Sequence, residues 1–156
     1  MAWKSSWSST TNMYERILVP LDGSSLSETS LPHAEAIGKQ FGSTLILLQV
    51  IAPPPQTGSD VPASTFSVTS DQERAETERY LATIGESLRT RQLKTETRIV
   101  VGHAADEILS SAATTQASLV VMATHGRGGL GRAIFGSVAN EVLQRCHLPL
   151  LLIHPQ

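Results

Sequence analysis

Two stretches of the chain gather residue types able to do chemistry. Asp22 closes an apolar run and opens the turn Pro20-Leu21-Asp22-Gly23-Ser24-Ser25. The second stretch, Met122 to Ser137 (MATHGRGGLGRAIFGS), holds five glycines in 16 residues, together with Arg127 and Arg132. Glycine lets the backbone turn sharply and bring its N–H groups close to an anion. The stretch then runs into the helical pattern Ser137–Cys146, whose first turn offers unpaired N–H groups and the positive end of the helix dipole. Ser137 stands at that helix start, where its hydroxyl can cap the helix or bond a phosphate oxygen. From Thr124 to the end of the chain three arginines face one glutamate, a local charge of +2 in a chain of net charge −2. These features describe a phosphate cradle; the competing reading is a glycine-rich connector that does backbone work only.

Standard motifs limit the chemistry. Gly126-Arg127-Gly128-Gly129-Leu130-Gly131 matches G-x-G-x-x-G in letters. A dinucleotide fingerprint, however, opens the first βαβ unit and needs an acidic residue about 20 positions later, and nothing beyond Glu141 is acidic. A phosphate-binding loop of the G-x-x-x-x-G-K-[ST] type fails at Arg132 and Ala133, which stand where the lysine and hydroxyl belong. G-x-S-x-G and H-E-x-x-H are absent. His103 and His125 sit beside glycines with no partner evident in the sequence, and the five histidines share no metal-ligand spacing. No catalytic residue and no metal site is expected.

The elements that position these stretches follow from hydrophobic pattern. Five short apolar runs recur: Arg16–Leu21, Thr44–Ile51, Thr97–Val101, Ser118–Ala123 and Leu148–His154. Each is nearly continuous, as in a strand covered on both faces. Helical patterns lie between them. Ser25–Phe41 carries Leu31, Ala34, Ile37 and Phe41 on one stripe and ends before Gly42, with Pro32 requiring a late start or a kink. Ser70–Leu93 opens with the capping box Ser70-Asp71-Gln72-Glu73 and turns Leu81, Ile84 and Leu88 inward. Asp106–Thr115 and Ser137–Cys146 are shorter, and Cys146 falls on the apolar stripe of the latter as a small buried group. The alternation predicts an α/β fold: a doubly wound, open, five-stranded parallel sheet of order 3-2-1-4-5 with about four helices on two faces. In that order the ends of the first and fourth strands meet where the winding reverses, the place where open α/β sheets bind ligands.

Composition narrows the setting. Apolar residues make up 40% and charged ones 17%, which fits a folded soluble domain and not a disordered chain. The net charge offers no basic field for nucleic acid or anionic membrane, and no apolar run is long enough to span a bilayer. One cysteine excludes an internal disulfide framework, and a reducing cytoplasmic location is expected. Residues 1–13 read as a disordered N-terminal arm without a secretory pattern, and 14–156 as one α/β domain. Ala52–Thr69 holds four of the eight prolines and reads as a flexible loop, either a functional flap or an inert excursion.

These residues resemble the nucleotide-binding branch of the universal stress protein family over roughly Tyr14 to His154. The family signature, G-x-x-G, nine residues, then G-[ST], reads here Ala123-Thr124-His125-Gly126, Arg127 to Phe135, then Gly136-Ser137, with alanine at the first glycine position. The opening Ile17-Leu18-Val19-Pro20-Leu21-Asp22-Gly23-Ser24 is equally typical. The resemblance implies an adenine nucleotide, ATP or AMP, as ligand, with Mg2+ as a companion of ATP. It implies that Asp22, Pro20 and Leu21 meet the adenosine end and that the Val50 backbone meets the adenine edge. Met122, Ala123, His125, Gly126 and Arg127 would flank ribose and phosphates. Gly136, Ser137, Val138 and Ala139 would hold the phosphates. It further implies a regulatory or stress-response role and a homodimer formed through the C-terminal strand Pro149–Ile153, an apolar edge of the expected order. The alternatives are a slow ATP-hydrolysing or phosphoryl-transferring enzyme, and an interaction module with an empty pocket.

Overall fold

The computed structural model describes residues 13–53, 63–124 and 136–154, with 63–70 described by backbone alone. Five parallel strands, β1 (Arg16–Leu21), β2 (Thr44–Ile51), β3 (Lys94–Val101), β4 (Leu119–Ala123) and β5 (Leu150–Ile153), form one sheet of order β3-β2-β1-β4-β5. The helices are α1 (Ser25–Glu28), α2 (Leu31–Phe41), α3 (Ala63–Thr90), α4 (Ala104–Thr114) and α5 (Ser137–Arg145).

Side-chain alternation along the strands divides the core into two layers. Ile17, Val19, Leu21, Leu45, Leu47 and Val121 face Ala34 of α2 and Leu81 and Leu88 of α3. Leu18, Ile46, Leu48, Val120 and Met122 face Ala105, Ile108 and Ala112 of α4 and Ala139 and Val142 of α5. Because β1 and β2 are covered on both faces, both read as unbroken apolar runs. Ile17, Leu18 and Val19 are fully buried, each side chain contributing about 1.5–3 kcal/mol.

Over Ser25–Phe41 the main helix starts late, as Pro32 requires: α2 begins at Leu31 with Pro32 in its first turn, where its missing N–H leaves nothing unpaired, and the short α1 precedes it. Other bounds differ from the sequence-based expectation, β5 being shorter, Leu150–Ile153 in place of Leu148–His154. Gly42 ends α2 in the left-handed region, φ 65°. Helix α3 begins at Ala63, so the loop expected over 52–69 is helical from that residue on. No proline or glycine follows Pro62 until Gly85, so the helix has no local reason to wait for Ser70. Strand β3 begins at Lys94, not Thr97: its first residues, Lys94-Thr95-Glu96, are polar because β3 is an edge strand with half of its residues exposed. The N-terminal arm up to residue 12 and residues 54–62 lie outside the described residues. No described helix is long and apolar enough to cross a membrane.

Candidate functional site

The winding reverses between β1 and β4, and a cavity of about 120 Å³ opens there at the carboxyl ends of the strands. Pro20, Leu21 and Asp22 at the end of β1, Val50 of β2, Met122 and Ala123 of β4, and Val138 and Ala139 of α5 all line it. The structure thus gathers on one cavity eight residues chosen from the sequence. Gly136 and Ser137 stand at the head of α5, two residues and one residue before Val138. His125, Gly126 and Arg127 lie outside the described residues.

Four further residues line the cavity without having been anticipated: Ser27, Leu48, Ala104 and Ile108. Leu48 was legible, since it lies two positions before Val50 and strand alternation puts both on the same face. Ala104 and Ile108 arrive on α4, which crosses over from the edge strand β3, and nothing local in the sequence marks them as site residues.

The turn after β1 is built by hydrogen bonds within six residues. Asp22 Oδ1 accepts the N–H and the hydroxyl of Ser24, at 2.9 and 2.6 Å, and Gly23 takes φ 82° to close the turn. Ser24 caps α1 by accepting the Ser27 N–H at 3.1 Å. The Ser27 hydroxyl accepts the Asp22 N–H at 3.3 Å and donates to the Ser24 carbonyl at 2.9 Å. Asp22 is therefore a turn-forming residue as well as a wall of the cavity.

Helix α5 presents its N-terminus to the same place. Its capping position is Gly136, with no side chain to satisfy the first turn, and the first intrahelical bond runs from Asn140 N–H to the Gly136 carbonyl at 2.9 Å. The N–H groups of Ser137, Val138 and Ala139 therefore have no partner within the helix, and the positive end of its dipole is unshielded by any acidic residue in the first turn. Ser137 is exposed, and its hydroxyl makes no hydrogen bond among the described residues. An apolar cavity beside a first turn whose donors have no partner among the described residues can hold a flat apolar ring and an attached anion together.

The first turn of α4 is tied to the last turn of α5 by charge. Arg145 Nη1 donates at 2.7 Å to both Asp106 Oδ1 and Glu141 Oε1, and Asp106 also lies 3.5 Å from His103 Nδ1. These carboxylates push the Arg145 pKa above its ordinary value. His103, Asp106 and Glu141 bring possible metal-ligand atoms within 4.8 Å of one another. The guanidinium already occupies the cation's place between the two carboxylates, so the cluster is an ion-pair network. His103, for which the sequence suggested no partner, thus has one.

At the other end of α5, Cys146 is half-buried against the α4–α5 core layer, and its thiol faces the Leu148 carbonyl at 3.7 Å. It packs as the sequence implied and is remote from the site. Buried Thr124, at the end of β4, accompanies β5: its N–H donates to the Ile153 carbonyl at 2.8 Å, and its hydroxyl lies 3.2 Å from His154 Nδ1.

Comparison with known proteins bears on this geometry. The model of the family described as "Universal stress protein family" matches residues 13–154. Universal stress protein MJ0531 of Methanocaldococcus jannaschii is 31% identical over 142 residues, covering 91% of this chain and 83% of that protein. The solved structure of protein MJ0577 is 26% identical with a TM-score of 0.75, covering 92% of this chain and 98% of that one. A universal stress protein in complex with cAMP is 22% identical with a TM-score of 0.69, covering 92% and 98%. One from Archaeoglobus fulgidus in complex with dAMP is 19% identical with a TM-score of 0.65, covering 90% and 98%. The last two likenesses establish the shared fold.

Proposed function

The chain belongs to the universal stress protein family, and from that premise we propose that it binds an adenine nucleotide, ATP or AMP, and acts as a nucleotide-sensing regulatory module. The observation that carries the reading is the apolar cavity at the β1–β4 switch point abutting the uncapped first turn of α5. In it the base lies among Leu48, Val50, Ile108 and Met122, with Pro20, Leu21 and Ala123 closing the walls and Asp22 at the ribose. The phosphates lie against the N–H groups of Ser137, Val138 and Ala139, the Ser137 hydroxyl and the Gly136 backbone. His125, Gly126 and Arg127 complete the phosphate side. Mg2+ accompanies the phosphates of ATP; the carboxylates of Asp106 and Glu141 are committed to Arg145 and do not serve it. The complexes of fold neighbours with cAMP and dAMP support an adenine nucleotide as the guest.

Isothermal titration with ATP, ADP and AMP tests the reading. Saturable heat with at least one is the expected result, and no heat with any of the three at millimolar ligand removes the proposal. We also propose that two copies pair through β5, the apolar edge of the sheet. Sedimentation at micromolar concentration then gives a dimer, and a monomer overturns this part.

A further inference from the structure

Helix α1 has only four residues, too few to be stable by itself, since a helix shorter than about 12 residues is marginal even with good helix formers. It nevertheless carries Ser27, which lines the cavity and whose hydroxyl accepts the Asp22 N–H at 3.3 Å. Its own caps are all local. Ser24 satisfies the first turn, while the hydroxyls of Thr29 and Ser30 donate to the carbonyls of Leu26 and Ser27, at 2.6 and 2.7 Å. Among the described residues, the hydrogen bond that reaches α1 from a distant part of the chain comes from Tyr80 of α3, whose hydroxyl donates to Glu28 Oε1 at 3.0 Å. Tyr80 is half-buried against the core layer formed with α2 and α3, so its ring is held by packing while its tip reaches α1. Glu28 thus reaches α3, while its neighbour Ser27 lines the cavity and also lies against the Tyr80 hydroxyl, tending to lower its pKa.

We propose that Tyr80 is a positioning residue for the nucleotide site, acting through Glu28 to hold α1 and with it the Ser27–Asp22 turn against the cavity. This deepens the reading under Proposed function and rests on it for its ligand. The local electrostatics agree. Burial, the hydrogen bond to Glu28 and the nearby negative charges of Glu28 and Asp22 all push the Tyr80 hydroxyl above the ordinary tyrosine value. The hydroxyl therefore keeps its proton, and its role as donor, throughout the neutral range. Without it the four-residue helix keeps its caps and its packing against β1 and β4 but loses its hydrogen bond to α3.

The test compares the unaltered chain with Tyr80→Phe, which keeps the ring and deletes the donor, and with Glu28→Gln, which keeps an acceptor oxygen. Arg91→Gln serves as a control: it cuts the 2.8 Å ion pair from the end of α3 to Glu35, away from the cavity. Two readouts are used, amide hydrogen exchange over residues 24–30 without ligand and the AMP dissociation constant by titration. Tyr80→Phe is expected to speed exchange over 24–30 and to raise the AMP dissociation constant about fivefold, as loss of one ordinary hydrogen bond implies. Glu28→Gln is expected to retain most of the affinity, and Arg91→Gln to leave both readouts as they were. Unchanged exchange over 24–30 in Tyr80→Phe overturns the proposal. So does a loss of affinity accompanied by faster exchange throughout the sheet, which marks a merely structural residue. If the unaltered chain binds none of AMP, ADP and ATP, the reading of the site fails separately and the exchange measurement alone decides whether Tyr80 holds α1; if it binds ADP or ATP only, that nucleotide replaces AMP in the titration.

Discussion

Among the described residues two cavities on the α4–α5 side invite comparison, and the larger is the less interesting. The larger, about 380 Å³, lies near the carboxyl ends of α4 and α5, lined by Leu109, Ala112, Ala113, Gln116, Ala117 and the segment Arg145–Leu148. The smaller, about 120 Å³, lies at the opposite end, where the strands finish and these helices begin. Both walls are mainly apolar, so apolar surface does not distinguish them. What differs is direction. At the smaller cavity the first turn of α5 presents N–H groups that have no partner among the described residues, and Asp22 and Ser27 add polar atoms from the β1 turn. At the larger one the helices present their negative ends, and Arg145 is engaged by Asp106 and Glu141. An anion-bearing guest is attracted to the first and not to the second. In a parallel α/β sheet, helix polarity thus selects between cavities that size would rank in the other order.

The strongest way to break this comparison is to fill each cavity in turn. Val50→Trp puts an indole into the smaller cavity from a half-buried strand position and is expected to abolish nucleotide heat in titration calorimetry. Ala113→Trp, at an exposed position beside the larger cavity, is expected to leave the nucleotide dissociation constant unchanged. The reverse pattern would place the guest at the wrong end of the helices.

A smaller effect is expected at the anion donors. Ser137→Ala removes a hydroxyl that caps nothing among the described residues. Its cost should appear in binding, about 1–2 kcal/mol or roughly 5- to 30-fold in the dissociation constant, with the thermal midpoint little changed. Ala123→Gly sharpens the comparison from the other side. It withdraws a methyl group from the wall of the smaller cavity, so calorimetry should show tighter binding. Stability should meanwhile fall by about 0.5–1 kcal/mol, the usual cost of glycine in a strand.

The smallest effect belongs to a region that touches neither cavity. Glu35 accepts from Lys39 and Arg91, each at 2.8 Å, and these hydrogen bonds hold its carboxyl below the usual glutamate range. A carboxyl with a depressed folded value contributes stability above its ordinary value of about 4.3 and loses it as pH falls through the folded value. Denaturant midpoints measured at pH 7 and pH 3 should therefore fall further for the unaltered chain than for Glu35→Gln. The difference should be about 1 kcal/mol or less, because Lys39 and Arg91 are half-exposed.

Much of this architecture is legible in the chain because burial on two faces leaves a plain mark. β1 and β2 have the bounds that their apolar runs indicate, and alternation with helices marks a parallel sheet, whose order β3-β2-β1-β4-β5 is the one expected. β3 was misplaced at its start because an edge strand carries Lys94 and Glu96 where a central one carries leucine. The late start of α2 is legible in Pro32, which takes its first turn; the separate α1, closed by the hydroxyls of Thr29 and Ser30, is not, because those local bonds leave no mark in the apolar pattern. At the site, residues at the ends of strands and the head of α5 could be chosen because their place in the winding is fixed by the order of elements. Ser27, Ala104 and Ile108 could not, since each reaches the cavity through packing of a helix whose register the sequence alone does not set.

The central claim is that an adenine nucleotide lies at the carboxyl ends of β1 and β4 against the first turn of α5. The direct test is a titration of the isotope-labelled chain with AMP, followed through backbone amide resonances. The account predicts saturable shifts at Leu21, Asp22, Val50, Ser137, Val138 and Ala139, and none at Ala113, Gln116 or Cys146. Shifts confined to the second set, or a spectrum left unmoved by AMP and then by ADP and ATP, would contradict it.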